Sequence, residues 1–148
     1  MADAYDCIKL ENQLCFPLYA ASKEIIRAYK PFLDAIDLTY TQYIAMMVMW
    51  EHEEISLKEM GRLLYLDSGT LTPLLKKLEK KGYLTRTRAK DDERILNVKI
   101  TEEGAALRKE AVHIPEKISS CICMKPEEAA ELYQLLYKIL VGFSDSEK

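Results

Sequence analysis

Residues 67–82, DSGTLTPLLKKLEKKG, decide how the rest of the chain is read. Asp67 and Ser68 can each cap a helix by accepting a hydrogen bond from an amide with no intrahelical partner, and Gly82 suits the left-handed residue that ends one. Leu71, Leu74, Leu75 and Leu78 recur at three- and four-residue spacing, which predicts a helix of about four turns with a single apolar stripe. Thr70, Thr72, Lys76, Lys77, Lys80 and Lys81 lie off that stripe. One face is made to pack, and the other offers hydroxyls and ammonium groups.

Working outward, residues 56–65, SLKEMGRLLY, carry a capping box of Ser56 and Glu59 followed by Leu57, Met60, Leu63 and Leu64 at helical spacing, so a second, shorter helix precedes the first. Only Leu66 and Asp67 separate the two, which predicts the tight turn of a helix-turn-helix whose second member enters the DNA major groove. Beyond Gly82, residues 83–88 and 94–100 read as strands, the latter because Leu96, Val98 and Ile100 alternate with Ile95, Asn97 and Lys99. The short polar AKDDE between them gives a hairpin with a charged tip, a wing.

Charge follows the same boundaries. From residue 62 to residue 99, ten Lys or Arg stand against five Asp or Glu, a balance of +5 in a chain of net charge −3, so the remainder carries −8. An acidic protein that concentrates positive charge on one helix and one hairpin is built to meet phosphates there. A solvated amphipathic helix beside an ordinary hairpin would explain the helix and the charge alone, but not helix, turn, helix and basic wing in that order. Ser68, Thr70 and Thr72 are the candidates for base edges or nearby phosphates, and Lys76, Lys77, Arg86 and Arg88 for phosphates.

The chain has 148 residues, 49% hydrophobic and 30% charged, enough for one compact unit with a real core. Its longest apolar run, residues 43–50, is far below the roughly 20 residues that span a bilayer, and the start MADAYD is not a signal peptide, so a cytoplasmic location is expected. There, Cys7, Cys15, Cys121 and Cys123 are expected as free, redox-active or metal-bound thiols, not a structural disulfide framework.

Residues 1–9 read as a loose arm. From residue 10 to about residue 33 the pattern is helical, with Leu14, Leu18, Ala21, Ile25, Ala28 and Phe32 on one stripe and Cys15, Tyr19, Ser22, Ile26 and Tyr29 on the next. So wide a face has more to bury than one small domain offers, which points to a second subunit. Pro17 fits the first turn of a helix or kinks an established one, and either way Cys15 sits near a helix beginning. Pro31 and a break near Asp37 end this element, and Thr39 or Thr41 caps the next, whose Met46, Met47 and Met49 read as core. After the wing, Thr101 caps a helix to about residue 119, and a last helix from Pro126 carries Ala129, Leu132, Leu135, Leu136, Ile139 and Leu140 on one stripe. The expected fold is therefore mainly α with a small β-hairpin wing: a winged helix-turn-helix between N- and C-terminal helices.

With this order of elements, the chain resembles the MarR family of dimeric winged-helix regulators over nearly its full length, and within it the organic-hydroperoxide-sensing branch. The motifs LENQLCFPLYAASKEI, YKPFLD, LTYTQY, LYLDSGTLTPLLKKLEKKG and DDER carry the resemblance. It implies one MarR-like domain over residues 1–148, with dimerisation helices at 10–36 and 101–145 and the winged helix-turn-helix at 40–100. It also implies a homodimeric repressor that binds double-stranded operator DNA, takes an organic hydroperoxide as inducer, and needs no cofactor, resident metal or membrane. By motif, Cys15 would be the sensing thiol, Tyr29 and Tyr40 would reach it from the other subunit, and Tyr19 would lie close by. Arg94 would be the wing-tip arginine entering the minor groove, and Asp92 the acid that orders the hairpin. Cys121 or Cys123 is a possible resolving thiol, and without one a low-molecular-weight thiol would take that part.

The residues themselves add a chemical case. A free thiol, with a pKa of about 8.5, needs a helix N-terminus or hydroxyl donors to favour the nucleophilic anion. Tyr19 lies one turn from Cys15, and Tyr29, fourteen residues on, returns to nearly the same helix face, so phenols are expected beside that thiol. Leu14, Phe16 and Leu18 would suit an organic peroxide. The plainer role of such a residue is a buried structural cysteine. Three other functions use the same residues: a thiol peroxidase built on Cys15, a metal sensor using Cys121, Cys123 and His113, and a MarR-type regulator holding a phenolic ligand between its helices.

Overall fold

This computed structural model describes residues 3–146. Seven helices and three short strands follow one another: α1 (Cys15–Asp34), α2 (Tyr40–His52), β1 (Glu54–Ser56), α3 (Leu57–Leu64), α4 (Ser68–Lys80), β2 (Leu84–Arg88), β3 (Leu96–Ile100), α5 (Glu102–Ala111), α6 (Ile114–Cys121) and α7 (Pro126–Ser146). The strands form one antiparallel sheet in the order β1-β3-β2, with Val98 opposite both Ile55 and Arg86.

Each helix of the central unit starts where a side chain supplies an acceptor. Thr39 accepts from the Gln42 amide and Gln42 returns the bond to the Thr39 amide, a complete capping box for α2. Ser56 accepts from the Glu59 amide, but the reciprocal bond expected from Glu59 does not form, because its carboxylate is held by Arg62 at 2.6 Å. Asp67, not Ser68, caps α4 through the Thr70 amide at 2.7 Å. Tyr65, left-handed at φ 55, ends α3, and Gly82, at φ 83, follows the end of α4. The turn between the two helices closes so tightly that a Cβ on Gly61 would stand 2.7 Å from the Leu66 carbonyl oxygen.

The core lies where α2, α3, α4, the sheet, α5 and α6 meet. Met46, Met49, Met60, Leu71, Leu75, Leu78, Leu84 and Val98 are fully buried there. Met47, expected in the core with its neighbours, is instead 45% exposed, since it faces away from Met46 and Met49 around the helix. The indole of Trp50 donates to the Gly104 carbonyl at 2.8 Å, which fixes α5 against α2.

Several expected boundaries move. The arm expected over residues 1–9 holds a 3-10 turn at Asp6–Ile8, fastened by bonds from the Asn12 and Gln13 side chains to the carbonyls of Asp6 and Cys7, both at 2.7 Å. A second such turn at Leu10–Asn12 occupies the expected first turn of the N-terminal helix, so α1 begins at Cys15 with Pro17 in its first turn. At the other end α1 runs through Pro31 to Asp34. The single helix expected from Thr101 to residue 119 is two, because Pro115 has no N–H to continue the ladder and instead occupies the start of α6. β1, three residues long, was not foreseen.

Candidate nucleic-acid interface and thiol site

The outward faces of α3, α4 and the wing, with Leu140, Phe143 and Ser144 of α7, enclose a concavity of about 1310 Å³. Ser68, Thr72, Lys76, Arg86, Arg88 and Arg94 line it, together with Lys58 and Tyr65, which the sequence did not single out. Thr70 and Lys77 are exposed but lie outside it. Among the described residues neither Lys76, Lys77 nor Arg88 has an ion-pair partner, so their charges are available to a polyanion. At the wing tip Asp92 Oδ1 accepts from the Arg94 amide at 2.9 Å and faces Arg94 Nε at 3.9 Å, while the Arg94 side chain is 94% exposed. The acid folds the tip and leaves the guanidinium projecting.

Arg86 differs from its neighbours. Glu79, on the last turns of α4, accepts from the Arg86 amide at 3.0 Å, from Nε at 3.0 Å and from a terminal nitrogen at 2.9 Å. The Arg86 side chain is only 18% exposed. These bonds hold the Glu79 carboxyl below the ordinary carboxylate value. The Arg86 guanidinium, expected to meet a phosphate, ties the wing to α4 and lines the concavity beside Arg88.

Cys15 is the first residue of α1. Its N-cap, Leu14, supplies no side-chain acceptor, and Pro17 has no N–H, so the first-turn amides of residues 15 and 16 are open to another acceptor. The thiol is exposed, in contrast with a buried structural cysteine, and so is its apolar surround: Leu14 at 81%, Phe16 and Leu18 each at 42%. Tyr19 follows one turn later. Tyr29 does share the face, but fourteen residues of helix separate the two by about 21 Å along the axis, so the expectation of Tyr29 beside Cys15 within one chain fails on rise per residue.

Tyr29 instead joins Tyr40 and Tyr43 of α2, with ring centroids 5.0 Å and 5.8 Å away. Burial, then Tyr40 and Tyr43, push the Tyr29 phenol up to about 12, and burial likewise raises Tyr40 and Tyr43. All three therefore stay protonated hydrogen-bond donors at any physiological pH.

All four cysteines are free and exposed. Cys121 ends α6, its thiol against the Lys117 carbonyl at 3.3 Å, and Cys123 follows beyond the extended Ile122. His113, Cys121 and Cys123 are not gathered: among the described residues no three His, Cys, Asp or Glu are placed to hold a metal. Among the described residues no helix is long and apolar enough to cross a membrane.

Two helices joined by a tight turn, a hairpin beside them and an open cationic concavity define a winged helix-turn-helix DNA-binding protein. A family model described as transcriptional regulator SarA/Rot matches residues 27–111. The organic hydroperoxide resistance transcriptional regulator of Bacillus subtilis is 48% identical over 140 residues, 95% of each chain. The SarZ regulator of Staphylococcus aureus is 43% identical over 140 residues, 94% of this chain and 95% of that one. The solved structure of reduced AbfR bound to DNA superimposes with a TM-score of 0.78 at 33% identity, covering 95% of this chain and 96% of that one. The chain belongs to the SarA/Rot transcriptional regulators and, among MarR-type winged-helix proteins, to the organic-hydroperoxide branch. It is a DNA-binding regulator and not an enzyme, which removes the thiol peroxidase from the alternatives.

Proposed function

We propose that this protein is a cytoplasmic repressor that holds operator DNA as a homodimer while Cys15 is reduced and releases it when an organic hydroperoxide oxidises that thiol. The observation that carries the reading is an exposed thiol at the first position of α1, set in apolar surface too large for one chain to bury. The thiolate attacks the peroxide: an S–O bond forms, the O–O bond breaks, and the alkoxide takes a proton and leaves as the alcohol. The resulting sulfenic acid condenses with a thiol, from a small molecule or from Cys121 or Cys123, and expels water.

In the dimer, the first helix of one subunit meets the phenol-bearing segment of the other, and Tyr29 and Tyr40, both protonated, donate to the thiolate while Tyr19 flanks it. Oxidation removes the acceptor and enlarges the group, and the two DNA-reading units leave the spacing of about 34 to 36 Å between successive major grooves. Ser68, Thr70 and Thr72 face base edges or nearby phosphates, Lys76, Lys77 and Arg88 face phosphates, and Arg94 enters the minor groove from a tip ordered by Asp92.

Gel-shift binding to duplex from upstream of the protein's own coding sequence, before and after cumene hydroperoxide, tests this for wild type, Cys15→Ser and the double variant Cys121→Ser/Cys123→Ser. The expected result is release of wild type and retention of Cys15→Ser. Retention of the double variant as well would assign the resolving step to Cys121 or Cys123. Release of Cys15→Ser by peroxide would overturn the reading of Cys15 as the sensing thiol.

A further inference from the structure

Lys81 caps the C-terminus of α4 without lining the concavity. Its ammonium, on a side chain 27% exposed, reaches back to the segment between α1 and α2. There it donates to the Asp37 carbonyl, pairs with the Asp37 carboxylate at 3.1 Å, and meets Gln42 Oε1 at 3.4 Å. Asp37 presents both oxygens from a left-handed backbone at φ 53, a conformation that aspartate tolerates. Gln42, 5% exposed, is the one buried polar side chain among the described residues, and its oxygen also closes the capping box of α2.

We propose that Lys81 is the link through which the phenol cluster acts on the DNA-reading helix. The inference rests on the thiol-sensing reading above. Tyr40 and Gln42 stand two residues apart in the capped first turn of α2, so they move as one body. Tyr40 packs on Tyr29 and Tyr43; Gln42 and Asp37 grip Lys81. Two residues earlier, Glu79 grips the wing through Arg86. The last turn of α4 is thus fastened to the phenol-bearing segment on one side and to the wing on the other. A shift of the first turn of α2 drags helix and wing together, or else breaks the contacts of a partly buried ammonium.

The test measures fluorescence anisotropy of the upstream duplex with reduced and cumene-hydroperoxide-treated protein, for wild type, Lys81→Gln, Lys81→Arg and Gln42→Glu, with Cys15 oxidation followed by mass spectrometry. Reduced Lys81→Gln should bind within about threefold of wild type, as an isolated side chain outside the DNA surface predicts. Its ratio of oxidised to reduced Kd should fall by about tenfold or more, within the usual range of a coupling between two sites. Lys81→Arg and Gln42→Glu, each of which keeps a cation facing an acceptor, should keep the wild-type ratio. A Lys81→Gln ratio equal to that of wild type, or an equal loss of affinity in both states, would overturn the link alone. Wild type that fully oxidises yet stays on DNA would overturn the sensing reading and the link with it.

Discussion

Arg86 and Arg88 stand two residues apart on the same side of β2, and their partners give them different work. Arg88 is exposed with no ion pair among the described residues, whereas three hydrogen bonds commit Arg86 to Glu79. Arg88→Gln should therefore lower the slope of log K against log salt by about one unit for each phosphate contact it removes, roughly two per dimer. Arg86→Gln should leave that slope unchanged and lower the melting temperature. The pair also carries a pH signature. Because Arg86 holds the Glu79 carboxyl below its ordinary value, the folded chain binds fewer protons there than the unfolded chain. Its stabilisation is complete above the ordinary carboxylate pKa and disappears as pH falls through the lowered one. Melting curves of wild type and Glu79→Gln should differ at pH 7 and draw together as pH falls through the lowered Glu79 value. Counting charges along the sequence treats every arginine alike and does not show that Arg86 is already paired. The pairing joins a helix to a strand across a turn, and no helical or strand periodicity marks it.

Among the elements, those legible in the sequence were the ones that bury a stripe of their own and carry a cap. α3 and α4 announce themselves through Ser56, Asp67 and the leucines between. β1 does not, since three residues cannot show an alternation, and only pairing with β3 makes them a strand. The break between α5 and α6 had a signal in Pro115, outweighed by the helical pattern on either side of it. Gly104 was silent as well, and here structure reverses propensity. A helical Gly→Ala exchange ordinarily stabilises by about 1 kcal/mol. At Gly104 the added Cβ would stand 2.0 Å from the Tyr83 carbonyl oxygen, which is backbone and cannot swing aside. The same stretch is pinned by the Thr101 hydroxyl on the Gly82 carbonyl at 2.6 Å and by Trp50 on Gly104. Gly104→Ala should therefore destabilise by about 3 kcal/mol, at the upper end for overpacking, in chemical unfolding followed by circular dichroism. Gain of stability would mean that α5 sits farther from the end of α4 than described.

At the scale of the whole molecule, the apolar side chains that lack cover are concentrated at the two ends of the chain. Leu14, Phe16, Leu18 and Ile26 of the α1 region are exposed, and so are Leu132, Leu135, Ile139, Val141 and Phe143 of α7. Water tolerates single exposed leucines but not two helices of them, so the stripes are covered by a second copy of the chain. That pairing is also what operator binding requires, since one winged unit reads one half-site while two at a fixed separation read both. Sedimentation of wild type should give a dimer. Leu135→Asp together with Ile139→Asp places two charges in the stripe without touching the central core and should give a monomer with α2 to α6 still folded. Binding to the full operator should then fall to the level of a single half-site, and its salt dependence should flatten. Wild-type affinity should drop by about 10³ to 10⁵ between 50 and 200 mM salt if the dimer neutralises six to ten phosphates, and a monomer holding half of them should show about half the slope. A doubly substituted chain that still sediments as a dimer and keeps the full slope would place the pairing surface elsewhere than on α7.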